Sequence, residues 1–348
     1  METEGKTMKK VLFATTALIA TAGMAAADVR ISGYGRFGLD YNEANSSDVT
    51  DPNYNGISET TITSRLRLQF DMSTETDGGV QFGARFRAQA ESRDNTPRGG
   101  MFNGARFFVT YEGFSLGVGN IIGAFENTPG TYLETRTGDV GIDGAGFVSH
   151  VGNVNDEYGN WDAYSSGGAG DNGVELIYSN AGFTGHISYS TDNDQVGPPI
   201  VQGEDRIAAM MSYTFGDWTA SIAAQDSSSA WEDKVIASVS GDLGMFGVTV
   251  AYADNDGIGK WGLYGNVDTG AASNLILFVT DEDAVSAADV VAGRNDNRDN
   301  VVGSNKQEGT SYGIHYSYDL GGGVSFETGY RRASNDNDTF QAGVFFSF

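Results

Sequence analysis

The stretch Val29-Arg30-Ile31-Ser32-Gly33-Tyr34-Gly35-Arg36-Phe37-Gly38-Leu39-Asp40-Tyr41 decides the fold. Its odd positions are Val, Ile, Gly, Gly, Phe, Leu and Tyr, and its even positions are Arg, Ser, Tyr, Arg, Gly and Asp. Successive side chains of a strand point to opposite faces, so this is a strand with one apolar and one polar face. The same division recurs downstream. Ile62, Leu66, Leu68, Phe70 and Met72 oppose Thr61, Thr63, Arg65, Arg67, Gln69 and Asp71. Val80, Phe82, Ala84, Phe86, Ala88 and Ala90 oppose Gln81, Gly83, Arg85, Arg87, Gln89 and Glu91.

Sixteen such segments are expected, at 29–41, 60–72, 79–91, 104–112, 114–121, 173–179, 183–190, 206–215, 218–226, 233–240, 246–253, 260–267, 274–280, 310–319, 324–332 and 339–348. Those at 233–240 and 274–280 alternate weakly. The connections run long, short, long, short. The long ones include 42–59, 92–103, 122–172, 191–205 and 281–309, and they hold all five prolines (Pro52, Pro97, Pro129, Pro198, Pro199). None of these falls in an expected strand, as the loss of a ladder N–H requires. An even strand number with short turns at one end and long loops at the other is the pattern of a transmembrane antiparallel β-barrel. Aromatics near strand ends, among them Phe215, Trp218, Phe246, Tyr252, Trp261, Tyr316 and Tyr318, suit the two membrane interfaces. A secreted β-sandwich or β-helix is the rival fold, but no sequence repeat beyond the hairpin rhythm supports it.

Composition narrows the function. The 348 residues hold 49 glycines, about twice the usual share, and no cysteine. Disulfides and cysteine-based metal or redox sites are therefore excluded. A formal charge of -25 argues against a nucleic-acid partner. Beyond residue 27 no apolar run is long enough for a transmembrane helix. At the N-terminus, Lys9-Lys10, an apolar run from Val11 to about Ala22 and Ala25-Ala26-Ala27 read as a secretory signal peptide over 1–27, with Met8 as the natural start and 1–7 as an upstream extension. The exported barrel would be 28–348.

Sixteen strands enclose an aqueous channel. Two features are expected to narrow it. The connection 122–172, the third long loop, is read as folded into the lumen. It carries the acidic candidates Glu126, Glu134, Asp139, Asp143, Asp156, Glu157 and Asp162. On the polar phase of the first four strands stand Arg30, Arg36, Arg65, Arg67, Arg85, Arg87 and Arg106, with Arg331 joining them if the first and last strands meet. Acid facing base across a lumen sets up a transverse field that sieves solutes by polarity and charge. The plainer alternative is that these arginines only neutralise their acidic neighbours.

The chain resembles the general diffusion porins of alphaproteobacteria, over Asp28 to Phe348. The likeness rests on Ser32-Gly33-Tyr34-Gly35-Arg36-Phe37-Gly38, on the third-loop stretch, and on the terminal Phe340-Gln341-Ala342-Gly343-Val344-Phe345-Phe346-Ser347-Phe348. It implies a sixteen-stranded homotrimer in the outer membrane of a Gram-negative bacterium, in contact with lipid and lipopolysaccharide. It also implies the third loop folded into each pore, a terminal Phe acting as an assembly signal, and bound calcium in some members. No cofactor is required. For Ca²⁺, the loop carboxylates Asp192, Asp194, Asp281 and Asp283 offer hard oxygen donors, although no Asp-x-Asp-x-Asp-Gly register is present.

The expected function is passive diffusion of small hydrophilic solutes and ions, with weak cation preference. A sugar- or anion-specific channel is the main alternative. It would want a ladder of lumen aromatics, and the polar phase offers chiefly Tyr34, Phe108 and Tyr264. An enzyme is not expected, because His150, His186 and His315 are scattered and form no recognisable catalytic spacing.

Overall fold

The computed structural model describes residues 28–133, 151–154, 160–164, 172–191, 204–298 and 308–348. The proposed signal peptide over 1–27 lies outside them. Among the described residues, seventeen strands form one sheet in which every pairing is antiparallel. In chain order they are β1 (Asp28–Asn42), β2 (Thr60–Glu75), β3 (Gln81–Arg93), β4 (Thr96–Phe102), β5 (Arg106–Tyr111), β6 (Phe114–Gly119), β7 (Gly173–Asn180), β8 (Phe183–Thr191) and β9 (Asp205–Phe215). They continue as β10 (Trp218–Ser227), β11 (Lys234–Leu243), β12 (Phe246–Asn255), β13 (Ile258–Gly270), β14 (Ser273–Glu282), β15 (Gly309–Gly321), β16 (Val324–Arg332) and β17 (Asp338–Ser347). Each expected segment is a strand, with ends within a few residues.

Sixteen of these strands close the barrel. The seventeenth, β4, was not expected. It folds back on the loop end of β3, pairing Arg93 with Thr96 and Ala88 with Phe102, while β5 takes the same edge of β3 lower down, from Gln81 to Arg85. β4 contains Pro97 and is exposed along its whole length. An edge strand can spare the missing N–H, so a proline is tolerated there. A short helix, α1 (Ala287–Ala292), lies in the loop before β15, capped by the Ser286 hydroxyl.

Closure is made by β1 and β17, in register from Tyr34 opposite Ser347 to Asn42 opposite Thr339. The glycines of the opening motif give this seam room. A Cβ on Gly35 would sit 2.2 Å from the ring of Phe346, and one on Gly33 would sit 3.1 Å from the ring of Phe348. The terminal aromatics therefore lie flat over the first strand. Gly33 and Phe348 also exchange backbone hydrogen bonds of 2.9 and 3.0 Å.

The two-faced alternation appears as a division of exposure. Val29, Ile31, Phe37, Leu39, Ile62, Leu66 and their counterparts around the barrel are exposed on the outside. In a lipid bilayer this band is where an apolar face belongs. The core is not between sheets. It lies inside the barrel, where Phe125, Val151 and Trp161 of the loop after β6 pack on Ala208, Met210, Ala223, Ile236, Ala251 and Ala253 of β9–β12. Leu133 of the same loop packs on Tyr264, Ile276 and Phe278 of β13 and β14. That explains the weak alternation of β11 and β14: their inward faces carry apolar residues because a loop rests on them rather than water.

Candidate functional site: the lumen and its folded loop

The loop after β6 starts at a buried ionic knot. Glu175 on β7 is fully buried in the wall. Its Oε1 accepts from Arg106 Nε at 2.6 Å. Its Oε2 accepts from the backbone N–H groups of Ile122 and Gly123, at 3.0 and 3.1 Å. His186 Nε2 stands 3.1 Å from the same oxygen, and its Nδ1 lies 3.4 Å from the Asn127 amide. A neutral ring with Nε2–H donating and Nδ1 accepting satisfies both contacts. Gly123 is required at this bend. Its φ is +86°, and a Cβ there would meet the Asp162 carbonyl at 2.1 Å.

From this root the loop is fastened along the β8–β13 wall by side chains that hydrogen-bond to its backbone. Ser188 Oγ accepts from the N–H of Ala124, while Ser221 and Ser238 both donate to the Pro129 carbonyl. Asn255 donates to Val151, Lys260 to Asn153, and Gln225 to Asn160. Buried backbone carbonyls need such partners, so an inner wall rich in Ser, Gln and Asn is what an irregular loop demands. The return segment 160–164 then reaches the opposite wall. The Tyr164 carbonyl accepts from Arg87 Nη1 at 2.6 Å, and the Arg87 guanidinium lies 4.5 Å from the centre of the Tyr164 ring.

Two acidic candidates of the loop are described, and both are part of this fastening. The Glu126 carboxylate accepts from the Tyr132 hydroxyl and from Trp161 Nε1. Burial raises its pKa above the usual carboxylate range, against those hydrogen bonds and the charge of Arg87. Asp162 accepts from Ser190 Oγ at 2.7 Å, with Arg206 3.8 Å away, and burial raises it too. Glu134, Asp139, Asp143, Asp156 and Glu157 lie outside the described residues.

Strand register gathers the arginines. Arg36 pairs with Arg65, Arg65 with Glu91, Arg67 with Gln89, Arg87 with Gln69, and Arg85 with both Asp71 and Arg106. Inter-strand spacing of about 4.8 Å makes this one continuous patch. Its members are not equivalent. Arg65 donates to Glu91 at 2.8 Å and Arg85 to Asp71 at 2.5 Å, while Arg106 is taken up by Glu175. The described partners of Arg67 and Arg87 are uncharged: Gln89, the Tyr34 ring, Gln69 and Tyr164. Arg30 is exposed at the turn end of the same wall, opposite Asp71. Arg331 pairs with Thr339, which in turn faces Asn42 across the closed seam at the loop end. Arg93 and Arg98 on the β3–β4 hairpin extend the patch beyond the sequence reading, Arg98 lying 3.3 Å from Glu91.

A second charged cluster sits where the loop meets the mouth. Arg206 contacts Glu204 at 2.5 Å and Glu232 at 2.9 Å. Burial, together with a hydrogen bond shared with Glu232, pushes Glu204 up to about 7, while Glu232 is held low. A raised carboxylate favours its neutral form. Its stabilising contribution is full below the ordinary Glu value and is lost as pH rises through about 7. Between pH 6 and 8 the mouth is thus expected to gain one negative charge, raising the cation-to-anion permeability ratio roughly twofold at 0.1 M salt. Reversal potentials measured across that range test this, and Glu204→Gln is expected to flatten the step.

Of the calcium candidates, Asp281 and Asp283 are among the described residues. Asp281 accepts from Thr310 Oγ1 at 2.5 Å, and the Asp283 carboxylate lies over Gly259. Asp192 and Asp194 lie outside the described residues. Among the described residues, no group of three or more His, Cys, Asp or Glu side chains is placed to hold a metal ion. Among the described residues the lumen aromatics form no ladder. Tyr34 stacks on Phe345 at 5.1 Å, Phe108 lies under Arg106, and Tyr264 and Phe278 are covered by Leu133.

A sixteen-stranded membrane barrel with a loop packed inside it and a polar, charged wall left facing the space is a pore-forming outer-membrane protein. The model of the Gram-negative porin family matches residues 14–338, and the chain belongs to that family. It is 27% identical to a porin of Fuscovulum blasticum, over 92% of this chain and 100% of the relative. It is 26% identical to a porin of Rhodobacter capsulatus, over 89% and 95% respectively. A solved triple mutant of Rhodopseudomonas blastica porin superposes with a TM-score of 0.67 at 26% identity, covering 92% of this chain and all of that one. The protein is a diffusion porin of the outer membrane, and nothing in its relatives favours a specific channel.

The loop–wall contact offers a direct test. Phe125 is fully buried between the loop and β9–β12. Phe125→Ala is expected to weaken that contact by about 3–5 kcal/mol. The measurable result is a barrel that still folds but shows larger and noisier single-channel conductance.

Proposed function

We propose that residues 28–348, freed of an export signal at 1–27, assemble as a homotrimer in contact with lipopolysaccharide. Each protomer would pass small hydrophilic solutes down their gradients without making or breaking a bond. The observation that supports this most is the asymmetry of the lumen. One wall, β8–β14, is covered by the fastened loop, while the other, β1–β5, presents arginines to the remaining gap. Solutes crossing the gap meet a transverse field whose basic side is Arg36, Arg65, Arg67, Arg85 and Arg87. The acidic side would come from Glu134, Asp139, Asp143, Asp156 and Glu157. The excess of acid over base in the whole chain favours weak cation preference. A structural Ca²⁺ belongs to this reading only through the loop carboxylates Asp192 and Asp194, and melting insensitive to EDTA would remove it.

The test is single-channel recording of refolded 28–348 in a planar bilayer under a KCl gradient. Insertion in steps of three, ohmic conductance and mild cation preference are expected. A small conductance blocked by one sugar or anion would replace this reading with a specific channel. A folded barrel that conducts nothing would overturn both.

A further inference from the structure

The outward face of β7–β10 carries a dent that the pore does not use. Its volume is about 490 Å³, within the roughly 300–1,000 Å³ range of ligand clefts. Its floor is made of small residues. Gly185, Ala209 and Ala224 all point outward, and Ala209 stands directly opposite Ala224 in the ladder. The rim is bulky: Leu176, Ile187 and Ile222 stand on the same outward phase and are exposed. At the lower end Phe183 leans over Gly185, so that a Cβ there would lie 3.3 Å from its ring.

Depth identifies the occupant. The floor residues lie two to six positions inside the strand ends Phe183, Phe215 and Trp218 that flank the short turns 181–182 and 216–217. At about 3.3 Å per residue and roughly 45° of tilt, this places the groove about 5–14 Å above the short-turn end. Short turns face the periplasm in such barrels, and the apolar band is about 25 Å tall. The groove therefore opens into the periplasmic leaflet. Below it, Tyr178 OH accepts from Asn180 Nδ2 at 3.2 Å, which sets a polar edge at headgroup height.

We infer that this groove holds one acyl chain of a periplasmic-leaflet phospholipid, seated on Gly185, Ala209 and Ala224 with its headgroup near Tyr178 and Asn180. Chain and groove are both already out of water, so no hydrophobic gain separates the seated chain from its neighbours. The preference comes from closer van der Waals contact with a concave wall. Enrichment over ordinary boundary lipid is then several-fold, with exchange, rather than permanent capture.

The probe is phosphatidylethanolamine carrying a photoreactive diazirine on its acyl chain, a minor component of phosphatidylethanolamine vesicles holding the full barrel. Labelling of the β8 and β9 segments is compared with labelling around Val250, Leu263 and Leu277 on the far belt. Several-fold enrichment is expected. It is expected to vanish in Ala209→Leu/Ala224→Leu, which fills the groove from the lipid side and keeps wild-type conductance as proof of folding. Equal labelling around the belt overturns the inference. So does loss of the groove label on adding lipopolysaccharide, which would assign the site to the other leaflet's lipid. Protection of the groove together with protein–protein crosslinks through Ile187 or Met211 overturns it in favour of a second copy of the chain.

Discussion

Replacing Glu175 by alanine is expected to cost about 3–5 kcal/mol and to release the root of the folded loop. The carboxylate is surrounded by donors: Arg106, the N–H groups of Ile122 and Gly123, and His186. Removing it leaves the Arg106 guanidinium buried beside Gly117 and Phe108 with no charge to meet it. It also leaves the buried N–H of Gly123 and the partly buried N–H of Ile122 without this acceptor, at up to about 1–3 kcal/mol each. Glu175→Gln keeps the volume but turns one acceptor into a donor facing Arg106 or the loop, so it is expected to lie between wild type and alanine. The double variant Glu175→Ala/Arg106→Met is expected to recover part of the loss, because the buried charge goes with its partner. Urea denaturation measures the cost. Single-channel traces read the loop, with flickering between conductance levels expected in Glu175→Ala. An unchanged midpoint and quiet wild-type traces would show that the fastening to β8–β13 holds the loop without its root.

That knot was not legible in the sequence. Glu175 lies far along the chain from Ile122 and Arg106, and nothing local marks it as a loop fastener. The same holds for Ser221 and Ser238, which look like ordinary lumen polar residues until Pro129 is placed against them. The barrel itself was legible because lipid on one side and water on the other impose a strict period of two on β1–β3. Where that period failed, the failure carried information. Ile236, Ile276 and Phe278 on the inward phase mark the stretch of wall that water does not reach, which is where the loop lies. β4 was invisible for the opposite reason: all its residues are exposed, so no buried face selects their order. The arginine patch could be read in advance, since residues two apart on paired strands must meet. Which of its members carry uncompensated charge could not. That depended on whether register set a carboxylate or an amide across from each one.

Of Arg65, Arg67, Arg85 and Arg87, it is Arg67 and Arg87 that register set against neutral groups, and their joint replacement by glutamine is expected to give the largest change in ion selectivity. A unit charge about 6 Å from a passing ion is worth about 0.7 kcal/mol in water. At 0.1 M salt, screening over a Debye length of about 10 Å roughly halves this. Losing two such positive charges lowers the energy of a cation and raises that of an anion by the same amount. The permeability ratio then moves toward cations by roughly tenfold, and at 1 M salt, where the Debye length is about 3 Å, most of the change disappears. Reversal potentials under KCl gradients at both salt levels give the ratio directly. Arg67→Lys/Arg87→Lys serves as the control. It keeps both charges while losing the planar contacts to Gln89 and to the Tyr164 ring, so selectivity is expected to stay near wild type even if the loop end at 160–164 loosens. If the glutamine variant keeps the wild-type ratio at low salt, the basic wall is only the neutralising partner of its own acidic neighbours, and the field across the lumen must come from residues elsewhere. If the lysine variant shifts as far as the glutamine one, the loop position, rather than the charge, sets selectivity.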